Sequence, residues 1–187
     1  MPFDPSDISA PALASILSHS ATCFVDEDDK GRLHETTSGV LIDASPEKVR
    51  AVITDYARYR EWAPQLTKSE VLGHKSGATD VAFSLGFRFA LFSRSIDYSL
   101  RYREKGEKVA WEQVSGDFPE NRGSWHWIPL ERGKKTAAFY AFYVDLAGLG
   151  SMVKMALKAS PQMEVAISTS TAVLMARALK ARVEETT

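Results

Sequence analysis

The chain has a single cysteine, Cys23, which excludes an intrachain disulfide framework and a thiolate metal cluster and makes a reduced, cytoplasmic setting the expectation. No apolar run approaches the roughly 18 residues that a membrane-spanning helix requires, and the opening residues MPFDPSDIS lack the basic start and apolar centre of a secretory signal. Charge of one sign is missing too. With 23 Lys and Arg against 24 Asp and Glu, and a formal charge of -1, nothing points to nucleic acid as a partner. His19, His34, His74 and His126 show no His-x-x-x-His spacing, and neither Gly-x-Ser-x-Gly nor a phosphate-binding loop occurs. No catalytic residue, metal ligand or cofactor site is therefore assigned.

What is present suffices for one domain: 187 residues, 44% of them hydrophobic, can bury a sizeable core. Residues 7–18 read as a helix, with Ser6 or Asp7 as N-cap, Pro11 in the first turn, and Ile8, Leu13, Ile16 and Leu17 on one side. Having no Lys or Arg, this helix reads as an N-terminal arm over residues 1–20, packed on a domain of residues 21–187, rather than as a membrane-surface helix. Residues 22–26 and 32–43 form a predicted hairpin across an acidic turn, with Thr36, Ser38, Val40 and Ile42 on one face. Ser45-Pro46-Glu47 starts a helix bearing Val49, Val52 and Ile53, and a short turn with Tyr59 and Trp62 ends at Pro64. Six strand-like stretches follow, at 67–72, 79–89, 93–103, 108–115, 124–130 and 136–144, divided by Gly-containing turns. That spacing predicts an antiparallel meander.

The last long stretch, residues 161–183, carries two apolar stripes at the helical period. Met163, Ile167, Leu174 and Ala178 form one, and Val165, Ala172, Leu179 and Val183 lie nearly opposite. A helix apolar on both sides is buried on more than one. The first stripe is expected to face the sheet or a ligand. The second is expected to need a cover, supplied by the N-terminal helix or a partner chain, so a homodimer contact is considered there.

The run SGVLIDASPEKVRAVITDYARYREWAPQLTKSEVL resembles the opening of the START-like, polyketide-cyclase and coenzyme-Q-binding superfamily, in which a strand enters a Pro-Glu-x-Val helix start followed by Asp-Tyr-x-x-Tyr-x-x-Trp-x-Pro. The later GSWHWIPLERGKKTAAFYAFYVDLAGLG is similar to that superfamily's Gly-x-Trp strand, final hairpin and Asp-x-x-Gly exit. The resemblance implies an α+β helix-grip fold: a curved antiparallel sheet wrapped around a long C-terminal helix, two short helices after the first strand, here with an extra N-terminal helix. It also implies an apolar cavity between sheet and helix. Segment 152–157, from Met152 to Leu157 with Lys154 and Lys158 nearby, resembles the flap of lipid-carrying relatives and is the candidate for transient membrane contact; its other reading is a surface helix with its apolar side on the domain.

Each aromatic residue in the strand half is at home in a core, but together they exceed what a thin sheet-on-helix core requires. Phe83, Leu85, Phe87 and Phe89 alternate onto one face, as do Arg94, Ile96, Tyr98, Leu100 and Tyr102. Arg94 is either an inward guanidinium paired with Asp97, Glu112 or a ligand carbonyl, or a rim arginine in water. Alternation leaves open whether Trp125 and Trp127 or His126 face inward, with inward tryptophans preferred. The candidate ligand-binding set is Trp62, Phe83, Phe87, Arg94, Tyr98, Trp111, Trp125, Tyr140, Phe142, Met163 and Ile167. The expected function is binding, and carriage, of a hydrophobic or amphipathic small molecule such as a lipid, quinone or sterol-like compound. Two rivals are a polyketide aromatase/cyclase using Arg94, Tyr98 and His126, and a protein-interaction module of the same fold.

Overall fold

The computed structural model describes residues 3–89, 92–160 and 162–185, with side chains throughout except at 87–89, 92–94 and 152. Eight strands form one antiparallel sheet in the order β1-β2-β8-β7-β6-β5-β4-β3. They are β1 (Thr22–Glu27), β2 (Leu33–Ile42), β3 (Leu66–Lys75), β4 (Ala78–Phe89), β5 (Phe92–Lys105), β6 (Lys108–Gly116), β7 (Asn121–Leu130) and β8 (Lys135–Val144). From β3 to β8 each strand pairs with the next, and the β1–β2 hairpin joins through β2 and β8 with Ile42 opposite Thr136. The β3–β4 turn has positive φ at both Ser76 (51°) and Gly77 (73°), the backbone twist that joins two neighbouring antiparallel strands without splaying them. Among the described residues no helix is long and apolar enough to cross a membrane.

The helices sit on opposite faces of this sheet. α1 (Ala10–Leu17) starts at Ser9, later than the expected Ser6 or Asp7, because a 3-10 turn at Pro5–Asp7, capped by the Asp4 side chain, occupies that stretch. Leu13 and Leu17 pack with Leu130, Ala137 and Phe139 on the outer face. A Cβ at Gly39 would collide with the Phe139 ring and approach Leu17, so that glycine is what lets Phe139 lie across β2. On the inner face lie α2 (Pro46–Thr54), through Val49 and Ile53, and α4 (Gln162–Glu185). α3 (Ser151–Ala159) turns Val153 and Leu157 towards the core and leaves Met155 69% exposed.

The two stripes of the C-terminal helix exchange the places the sequence suggested. Ser168, Ala172, Ala176, Leu179 and Val183 are buried against the sheet, whereas Met163, Ile167 and Leu174 are 42%, 40% and 49% exposed. The N-terminal helix covers none of this exposed side, since α1 lies across the sheet from α4. The physical reason is size. α4 packs chiefly on β2, then on β8, α2 and β1, and β2 presents Thr36 and Ser38 there, so close approach selects Ser168, Ala172 and Ala176 over larger side chains. The hydroxyls of Thr36, Ser38 and Ser168 are buried with no hydrogen-bond partner among the described residues, a cost of that approach.

Candidate functional site: an aromatic hollow under the C-terminal helix

Because α4 is clamped to the β1–β2–β8 side, it does not fill the concavity over β4 to β7. The inward positions there are aromatic by strand alternation: Phe83 on β4, Tyr98 and Tyr102 on β5, Trp111 on β6, Trp125 on β7, Tyr140 and Phe142 on β8. Tyr59 and Pro64 close one side, Phe118 another, and Thr171 and Met175 face in from α4. The free volume is about 120 Å³. A dry cavity of about 150 Å³ accepts benzene, so this hollow is ring-sized.

The rings support one another around the gap. Trp111 stacks on Tyr140 at 5.4 Å with planes 25° apart, Trp125 meets Tyr140 at 4.6 Å, and Tyr140 meets Phe142 at 5.2 Å. Across the hollow, Phe83 packs on Tyr98 at 5.6 Å and Tyr98 on Phe118 at 5.4 Å. Room for Trp111 comes from the neighbouring strand, where a Cβ at Gly123 would run into its indole. Polar groups are few. The Tyr59 hydroxyl donates to the Ile53 carbonyl at 2.5 Å, and the Trp111 indole N–H donates to Asn121 Oδ1 at 3.2 Å. Burial pushes the phenols of Tyr59, Tyr98, Tyr102 and Tyr140 upward, so they remain protonated at neutral pH and can donate hydrogen bonds. No charged side chain lines the hollow among the described residues.

Of the residues named from sequence, Phe83, Tyr98, Trp111, Trp125, Tyr140 and Phe142 meet in this hollow. Trp62 stands behind the wall, packed on Tyr59 at 4.7 Å. Met163 and Ile167 lie on the exposed side of α4, because the small-residue face takes the sheet. Phe87 and Arg94 are paired on β4 and β5, and their side chains lie outside the described residues. Trp125 and Trp127 are buried inward at 1% and 3%. His126 therefore faces the opposite side, near Asp4 and Lys108, and is removed from the groups a cyclase could have used. Tyr59, Tyr102, Phe118, Asn121, Thr171 and Met175 were missed. Tyr102 carried a signal, being in phase with Tyr98. Asn121 carried none while residues 116–123 read as a turn; its register opposite Val144 makes it the first residue of β7.

Residues 42–183 match the family described as "Polyketide cyclase / dehydrase and lipid transport", a span that includes the sheet from β3 on and most of α4. The chain belongs to this family. No match was found among curated proteins. Solved structures of this family's fold resemble it closely in backbone. A STAR-related lipid transfer protein from Xanthomonas axonopodis superposes with TM-score 0.66 at 16% identity, covering 89% of this chain and 94% of that one. The Zhui aromatase/cyclase from Streptomyces sp. R1128 gives 0.62 at 16%, covering 81% and 94%. Human StAR-related lipid transfer protein 5 gives 0.63 at 10%, covering 95% of each. At such identities the likeness speaks for the fold, and the family membership for a ligand-binding domain of START and polyketide-cyclase type.

Proposed function

We propose that the protein binds a small, uncharged, ring-bearing molecule, or the ring end of a longer one, between sheet and C-terminal helix. The observation that carries this reading is the wall itself: aromatic rings make most of it, and no charged group faces the hollow among the described residues. Apolar burial would supply about 2.5 kcal/mol for each 100 Å² of ligand surface covered. A whole sterol or acyl lipid exceeds about 120 Å³, so such a molecule would enter only in part. Solved neighbours of the same fold are named for lipid transfer and for aromatase/cyclase activity, which is in keeping with an apolar or ring-bearing ligand. Binding is favoured over cyclase chemistry because the described lining offers phenols held protonated, which can hold a carbonyl but do not serve as bases near neutral pH.

Native mass spectrometry of gently purified protein, with solvent extraction and quenching of Trp111 and Trp125 fluorescence by the extract, is the test. A stoichiometric apolar adduct that quenches is expected. No adduct, together with no saturable quenching by any small aromatic compound, would overturn the reading.

A further inference from the structure

One polar group in the hollow has its orientation set by the protein itself. An indole N–H can only donate, so Trp111, 3.2 Å from the Asn121 side chain, fixes the amide with Oδ1 turned towards the indole. The Nδ2 amino group then faces the other way, and its two N–H donors have no partner among the described residues. Asn121 lines the hollow, in phase along β7 with Gly123 and Trp125, and opposite Val144, another lining residue. Trp111 cannot swing away to release the amide. It is stacked on Tyr140, and its ring occupies the space a side chain at Gly123 would need.

We infer that Asn121 is the specificity-determining residue of the hollow, a fixed donor that selects ligands carrying a carbonyl oxygen on the ring system. This rests on the reading of the hollow as a binding site. A protonated ligand amine would set donor against donor and bring an unpaired charge. A carboxylate would lie among rings with no cation among the described lining residues, an unfavourable place for an unpaired charge. A ketone or quinone oxygen meets neither objection, and Tyr98 and Tyr140 can add a second donor.

The probes are 1-indanone and indane, which share a fused-ring frame and differ by one carbonyl. Binding is followed in ¹H–¹⁵N spectra through the four tryptophan indole resonances, with that of Trp111 assigned by Trp111→Phe. Wild type is expected to bind 1-indanone roughly 3- to 10-fold more tightly than indane, the range of one net hydrogen bond, with the Trp111 indole resonance shifting. Asn121→Asp, read at a pH where the carboxyl is ionised, keeps the acceptor for Trp111 and removes the donors; it should abolish the preference for 1-indanone over indane, whatever it does to the affinity for both. Asn121→Leu, which keeps neither, should do the same and serves if the aspartate variant fails to fold. Equal affinities in wild type, or a preference that survives both variants, would overturn the inference and leave the hollow standing as a binding site. Failure of both compounds to move any indole resonance would overturn the binding reading itself and this inference with it.

Discussion

Which side of α4 faces the sheet can be decided by comparing two leucines on one helix. Leu179 is fully buried, and Leu174 is 49% exposed. Leu179→Ala removes about three methylene equivalents, about 2.4 kcal/mol at 0.8 kcal/mol each. It also leaves a cavity that a hydrogen-bonded sheet cannot easily collapse into, so the total belongs in the upper part of the usual range, about 3–4 kcal/mol. For a domain of this length each kcal/mol moves Tm by about 2–4 °C, giving a fall of roughly 6–16 °C. Leu174→Ala gives up only part of its contact and gains helix propensity, so its effect should stay within about 0.5 kcal/mol. Urea unfolding followed by circular dichroism and tryptophan fluorescence measures both variants, with an unchanged m-value as the control for a common unfolded state. A Leu174→Ala variant as damaging as Leu179→Ala would refute the assignment of the two faces. Because Thr171 and Met175 reach the hollow only when α4 has this rotation, it would also move the candidate site.

Two further outcomes follow from buried polar groups. Ser168→Ala replaces a buried hydroxyl without a partner by a side chain of better helix propensity, so urea denaturation should show a gain of about 0.5–1.5 kcal/mol; a loss would mean the hydroxyl has a role in the packing. Burial holds the His126 imidazole below its usual value, with Asp4 and Glu107 pulling it up and Lys108 pushing it down. The unfolded chain therefore takes up the proton first, and the contribution of a neutral His126 is intact above about pH 6.5 and lost as pH falls through the lower folded value. Relative to His126→Gln, wild type should lose stability between pH 7 and pH 5; parallel pH profiles for the two proteins would remove His126 from the account.

Most elements were legible because turn chemistry and strand alternation are local. Ser76-Gly77 is a turn signal in its own right, and Phe83 and Tyr98 could each be set with their apolar neighbours on one strand face from period two. The facing of the C-terminal helix was not legible. Ala172, Ala176 and Ser168 look like the weaker stripe until it is known that β2 brings Thr36 and Ser38 against them, a contact between segments more than a hundred positions apart. Asn121 was hidden for a related reason: Gly116 to Gly123 has the composition of a loop, and pairing with β8, and with β6 for Arg122 and Gly123, draws its last residues into the sheet.

The same small residues account for the hollow. A helix resting on large side chains would stand off the sheet along its whole length and leave no sharp division between core and cavity. Here Ser168, Ala172 and Ala176 let α4 settle onto β2, while on the other side of the concavity Trp111, Trp125, Tyr140 and Phe142 are braced ring against ring. Closing the remaining space would require these rings to leave one another, forfeiting about 0.5–1.5 kcal/mol for each pair beyond the area they bury. The void is therefore maintained by packing on both its sides, as the proposed binding of a ligand ring would require. Within it, the amide of Asn121 gives a polar direction fixed by the fold, held by the N–H of Trp111.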